Sequence, residues 1–182
     1  MHDKELEEKI LSLFNDEKTK KEGFTLLVNH FKKSIYFQIR RIVISHENTD
    51  DVVQEVFIKC WNKLNTFNGK SKLSTWIYRV TYNEAIQWIR KNKKEFHLNI
   101  SEIQTDNQPT TNIFHKDADE ISILLEKAIL QLPEKQKMVF QLKYFEDLSY
   151  KEIQIITGGS IGGLKANYHH AVTKIEKLLS SD

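Results

Sequence analysis

Apolar residues recur at three- and four-residue intervals along most of the chain. Residues 4–14, 22–45, 50–64 and 74–94 each carry one helical stripe, and no two-residue alternation persists between turn-forming residues. The first half therefore reads as a helical bundle. Between about Phe96 and Lys116 the stripe fails: Asn99, Ser101, Thr105, Asp106, Asn107, Gln108, Pro109, Thr110, Thr111 and Asn112 are polar and turn-forming. Residues 97–116 read as a linker, which fully stretched would reach about 70 Å. Beyond it, Asp117 and Glu120 open a helix carrying Ile121, Leu124, Leu125, Ala128 and Leu132, and Pro133 starts another carrying Met138, Val139, Leu142 and Phe145. The last 34 residues, Ser149 to Asp182, read as a short helix, a tight turn and a longer helix. Ser149 and Glu152 have capping-box spacing, Gly158 and Gly159 free the backbone for the turn, and Ser160 is placed to cap the second helix. That helix carries Ile161, Leu164, Tyr168, Ala171, Ile175 and Leu178 as one buried stripe. The expected fold class is all-α: two small helical domains, 1–96 and 117–182, joined by a flexible linker, the second a four-helix domain ending in a helix-turn-helix.

Composition narrows this picture. The 182 residues are 40% hydrophobic and 29% charged, with no run near the eighteen or so apolar residues of a spanning helix and no signal-peptide core at the start. A cytoplasmic protein without membrane insertion is expected. The single cysteine, Cys60, has apolar neighbours at helical spacing and reads as a small buried hydrophobe. Net charge is only +2, yet residues 1–97 hold 18 Lys and Arg against 13 Asp and Glu, while 98–182 hold 9 against 12. The basic excess sits in the first half, either as ordinary solvated helix faces or as a surface for an anionic partner.

Three segments carry candidate chemistry. The first is the outward face of the last helix, since in a helix-turn-helix the second helix enters the DNA major groove. Asp50 to Trp61 forms an acidic-capped helix, with Val53, Phe57, Trp61 and Leu64 as its core stripe and Val52, Val56 and Cys60 beside it. Asp51, Gln54, Glu55 and Lys59 fall outside that core, and by spacing alone a solvated face is favoured over a docking surface. The third begins with a polar loop after Phe67 that holds Asn68, Lys70 and Lys72. It enters a helix with Trp76, Tyr78, Arg79, Tyr82, Asn83 and Arg90, then Lys91, Lys93 and Lys94. Rings beside cations and an amide suit unstacked nucleic acid, because rings receive bases, Asn hydrogen-bonds a base edge and cations take phosphates. The plainer reading makes Trp76 and Trp88 core residues. Adjacent His169 and His170 point about 100° apart and cannot ligate one metal together. His97 and His115 have no ligand cluster around them, and Gly158 to Gly163 lacks the Lys-Ser/Thr of a phosphate loop. No enzyme, metal or cofactor is expected.

Together the two halves resemble one family, the small two-domain sigma factors of bacterial RNA polymerase, of the sigma-70 family's extracytoplasmic-function (ECF) type. The likeness is carried by Asp50-Asp-Val-Val-Gln-Glu-Val-Phe-Ile-Lys-Cys-Trp61, Phe67-Asn-Gly and Thr75-Trp-Ile-Tyr-Arg-Val-Thr-Tyr-Asn83 in the first half. In the second it is carried by Leu132-Pro-Glu-Lys-Gln-Lys-Met-Val-Phe140, Tyr144 to Ile153 and Ser160-Ile-Gly-Gly-Leu-Lys165. The resemblance implies a transcription initiation factor whose first domain is sigma region 2 and whose second is sigma region 4. It turns the face of Asp51, Gln54, Glu55, Phe57 and Lys59 into a docking surface for the clamp helices of core RNA polymerase. It implies that Asn68, Lys70, Lys72 and Asn83 trap a base extruded from the -10 element, with Trp76, Tyr78, Arg79, Tyr82 and Arg90 lining the melted strand. It also implies that Ser160, Gly162, Gly163, Lys165, Asn167, His169 and His170 meet the -35 element of promoter DNA, and it admits an anti-sigma factor as a further partner. The chain departs from the family by carrying Asn167, His170 and Val172 where the outer face of the recognition helix usually has more Arg.

Two other readings compete. One is a conventional helix-turn-helix regulator whose first domain senses a ligand or dimerises. The other is an interaction protein that mimics a sigma factor and occupies its regulators.

Overall fold

The computed structural model describes residues 3–93 and 120–180, with side chains from 4 and, in the second stretch, from 124. Those residues are helical and turn-connected, without a strand, and the chain divides into two compact units between Lys93 and Lys94. The segment expected to be a linker, 97–116, lies outside the described residues, as do His97, His115 and Asp117.

The first unit contains α1 (Asp3–Asn15), α2 (Lys20–Val43), α3 (His46–Lys63) and α4 (Leu73–Lys91), with a 3-10 turn at Leu64–Thr66. The long α2 packs against each of the other three. Its inward line, Leu27, Phe31, Ile35 and Ile39, is fully or nearly fully buried at four-residue spacing, as a helix buried along one stripe requires. α2 ends two residues earlier than periodicity suggests. Ile44 turns to φ 73 while its amide still reaches Arg40 O, so the chain can redirect into α3. The α1–α2 crossing is close because position 23 is glycine: a Cβ there would stand 2.6 Å from Phe14 N and 3.0 Å from Ile10 O.

Packing corrects the expected core stripe of α3. Val52, Val56 and Cys60 are the fully interior line, and Val53, Phe57 and Trp61 are half-buried beside it. α3 touches α2 and α4 together, so the line facing the gap between those two helices becomes the centre. Trp61 instead meets Phe14 and Phe24 edge-on, at 5.6 and 5.0 Å between ring centres.

The second unit contains α5 (Glu120–Leu130), α6 (Glu134–Tyr144), α7 (Tyr150–Thr157) and α8 (Ile161–Leu179). Its core gathers Ala128, Ile129, Leu132 and Phe140 against Ala171 and Ile175 of α8. The last carbonyls of this region find lysines: Lys137 Nζ donates to Leu130 O and Lys174 Nζ to Gln131 O, each at 3.0 Å. Burial lowers the Lys137 pKa, with Glu134 acting against that shift.

Candidate nucleic-acid interface

α4 begins after a loop with a defined shape. Lys70 N donates to Asn68 Oδ1 at 3.1 Å, Gly69 sits at φ 70, and the Phe67 ring meets the Trp76 ring at 6.1 Å. An Asn closing a local turn beside a left-handed Gly is a local solution that a short polar segment can adopt by itself. Along α4, Leu73, Thr75, Ile77, Thr81 and Ala85 are buried. At 100° per residue, Trp76, Arg79, Asn83 and Arg90 fall within about 60° of one another on the opposite side. Arg79, Asn83 and Arg90 are exposed there, and Trp76 is half-buried where it packs on the core. One helix face thus offers a ring, two guanidinium groups and an amide next to exposed Asn68, Lys70 and Lys72. Tyr78 and Tyr82 are half-buried and lie to the side of that face, so the tyrosine pair is not its centre. Trp88 is also half-buried against the core.

On α3, Asp51, Gln54 and Glu55 are exposed, and so is Ile58 at 52%. Phe57 points differently from these: it is half-buried and stacks edge-on with Phe24 at 6.5 Å. Lys59 is tied to α4, ion-paired with Glu84 and 3.5 Å from Gln87. The pair bridges a groove between α3 and α4 lined by Val52, Glu55, Gln87, Trp88 and Lys91. Directly behind it, Cys60 is wholly buried, and burial, aided by Glu84, pushes its thiol pKa up to about 12. Cys60 is the buried hydrophobe its spacing suggests.

The helix-turn-helix forms by local chemistry. Ser149 and Glu152 close a reciprocal capping box, with Ser149 N donating to Glu152 Oε2 at 2.8 Å and Glu152 N to Ser149 Oγ at 3.3 Å. Gly158 and Gly159 take φ 78 and 84, and Gln154 Nε2 ties the turn by donating to Gly159 O at 2.7 Å. Ser160 caps α8 by accepting from Gly163 N at 3.1 Å. That bond engages the Gly163 amide, so the amides open to a phosphate at this end are those of Ile161 and Gly162.

α8 buries Leu164, Ala171 and Ile175. The opposite arc is exposed and runs through Gly162, Ala166, His169, His170 and Thr173. Ala166 and Thr173 belong to its centre, and attention to charged and amide residues alone overlooks them; the 100° wheel finds both. Asn167 is half-buried at one edge of the arc, and Lys165 lies at the other with its Nζ 5.8 Å above the Tyr150 ring. Val172, expected on the outer face, packs half-buried against the core instead, because it lies four residues after Tyr168 and three before Ile175, on the flank of the buried stripe.

Comparison with known proteins fits this arrangement. A sigma-70 region 2 model matches residues 27–95, and a sigma-70 region 4 model matches 122–175. The chain is 29% identical over 167 residues to the ECF RNA polymerase sigma factor SigW of Bacillus subtilis, covering 87% of this chain and 89% of that protein. It is 26% identical over 169 residues to the ECF RNA polymerase sigma-E factor of Escherichia coli K12, covering 88% of each. Among solved structures, the fold is like that of the sigma factor RpoE in complex with the anti-sigma factor NepR from Bartonella quintana. That match has a TM-score of 0.70 and 21% identity, over 87% of this chain and 98% of the other. CnrH, solved in complex with the cytosolic domain of CnrY, matches with a TM-score of 0.68 and 18% identity, over 99% and 98% of the two chains. Region 2 and region 4 matches in that order on two helical units, with relatives aligned along most of their length, make this chain a member of the sigma-70 family, of its extracytoplasmic-function type.

Proposed function

We propose that the chain is a promoter-specific transcription initiation factor whose first domain, residues 1–96, both docks on core RNA polymerase and captures the melted -10 strand. The observation that carries this reading is one face of α4 that holds exposed Arg79, Asn83 and Arg90 with half-buried Trp76, beside the loop Asn68 to Lys72. Docking would use Asp51, Gln54, Glu55 and Ile58 on α3, which are exposed. Phe57 and Lys59 would act behind that surface, holding α3 against α2 and α4. Extruding a base costs a few kcal/mol, and stacking with edge hydrogen bonds in a formed pocket offsets it, so melting is driven by binding alone.

Residues 117–182 would read the -35 element through α8, with the Ile161 and Gly162 amides on a phosphate and the arc of Ala166, His169, His170 and Thr173 toward the bases. Apolar and hydroxyl groups on that arc suit thymine methyls and single hydrogen bonds better than bidentate guanine contacts. Its partners would be core polymerase, promoter DNA and, by likeness to the RpoE structure solved with the anti-sigma factor NepR, an anti-sigma factor, all met in the cytoplasm. Among the described residues no helix is long and apolar enough to cross a membrane. The work is recognition and melting, without catalysis by this chain.

The test is transcription by sigma-free core polymerase plus this protein on a genomic-fragment library, with start sites mapped and Asn83→Ala run beside the wild type. Defined starts that weaken at least tenfold in Asn83→Ala are expected, about 1.4 kcal/mol of lost transition-state binding. The small, nearly uncharged centre of α8 also suits the sigma mimic, which would bind polymerase or regulators and give no starts. Absence of polymerase binding would instead favour an ordinary helix-turn-helix regulator.

A further inference from the structure

We infer that Glu7, on α1, is a positioning residue for -10 capture: it holds the entry of α4, and with it the loop Asn68 to Lys72, in the shape that receives an extruded base. The inference rests on the initiation reading above. The N-cap residue of α4 is Lys72, whose side chain makes no capping hydrogen bond to the first amides of the helix. The first amides of a helix need acceptors and carry partial positive charge. Here they are met from 66 residues away: Glu7 Oε2 accepts from Leu73 N at 2.8 Å, and Glu7 Oε1 accepts from Ser74 N at 3.0 Å. One carboxylate thereby satisfies two successive amides with a charge-assisted pair.

The rest of the loop is already constrained. Its entry is fixed by Phe67 N donating to Leu64 O at 3.0 Å, and its middle by the Asn68 turn. Glu7 supplies the hold at the exit, and the close α1–α2 crossing at Gly23 fixes where α1 lies. A loop ordered before the base arrives spares the ordering entropy that capture would otherwise cost. Trp76 and Arg79 belong to the first two turns after the capped amides, so their aim depends on the same contact.

The sign of the effect separates this role from plain electrostatics. Glu8, next to Glu7, is 67% exposed at its side chain and lies 3.8 Å from Lys4 across one helical turn. Removing either negative charge should by Coulomb's law strengthen binding to a polyanion. Positioning by Glu7 requires the reverse.

The experiment compares full-length wild type, Glu7→Gln and Glu8→Gln as holoenzymes on a promoter mapped as above, scoring permanganate-reactive thymines at matched occupancy. Hydrogen exchange of the amides of residues 68–74 is followed in parallel. Glu7→Gln, which offers one acceptor for two amides, should lower strand opening about five- to tenfold and speed exchange in that segment. Glu8→Gln should open at least as well as wild type. Glu7→Asp keeps the charge but is a methylene short, and it takes the place of Glu7→Gln if that variant unfolds; an intermediate loss is expected. Wild-type opening by Glu7→Gln, or a loss of core binding in step with opening, would overturn the inference. Wild type that opens no promoter would overturn the initiation reading itself, and unchanged exchange at 68–74 would show separately that Glu7 is no clamp.

Discussion

Replacing Gly23 with Ala should destabilise the first unit, against the ordinary preference of a helix for Ala. Inside a helix, Gly→Ala gains about 1 kcal/mol from backbone entropy and propensity. At this position the new Cβ would stand 2.6 Å from Phe14 N and 3.0 Å from both Ile10 O and Leu13 C, all backbone atoms of α1 that cannot rotate away. Restoring ordinary contact at 3.4 Å moves α1 back by about 0.8 Å, and a gap of that size forfeits about a quarter to a half of each dispersion contact across it. Ile10 and Phe14 on α1, 0% and 3% exposed, make those contacts. Overpacking strain of about 1–3 kcal/mol together with the loosened contacts exceeds the propensity gain, leaving a net loss of about 1–2 kcal/mol. The three tryptophans, Trp61, Trp76 and Trp88, all lie in the first unit, so urea unfolding followed by Trp fluorescence reports on that unit within the full chain. A midpoint equal to or above wild type would refute the close-crossing argument. Retreat of α1 would also draw Glu7 away from α4, so Gly23→Ala should speed amide exchange at Leu73 and Ser74.

Two further perturbations have signs fixed by the structure. In the second unit, Gly159→Ala should cost about 1 kcal/mol or more because position 159 sits at φ 84, whereas Gly162→Ala, with open space around its Cβ, should gain about 0.5 kcal/mol. Far-UV melts check both, with the Trp signal unchanged, and the same sign for the two would contradict the turn geometry. The Cys60 thiol is raised from 9.0 to about 12 by burial first and Glu84 second, so it should resist alkylation at pH 8 until the first unit unfolds. Because the unfolded thiol ionises first, its contribution to stability is full below about pH 9 and is lost as pH rises toward 12. Cys60→Ala, about 1 kcal/mol less stable than wild type at pH 7, should therefore close that gap by pH 10 in paired melts.

Much of this protein was legible in its sequence because the deciding interactions are local. Helices, the Ser149–Glu152 capping box, the left-handed Gly pair and the Ser160 cap each depend on residues within about one helical turn, so the pattern announces them. The blocks from Asp50 to Trp61 and from Thr75 to Asn83 announced the family in the same way. Tertiary packing decided what spacing leaves open. Val52, Val56 and Cys60 became the inner line of α3, Lys59 was drawn into a pair with Glu84, and Val172 was taken into the core. Neighbouring stripes on one helix look alike until the crossing helices choose between them. The same holds for Glu7, an ordinary acidic residue on a polar helix until packing sets its carboxylate against amides 66 residues on. A side chain's periodicity gives the face it occupies, and only the approach of another helix gives that face a partner.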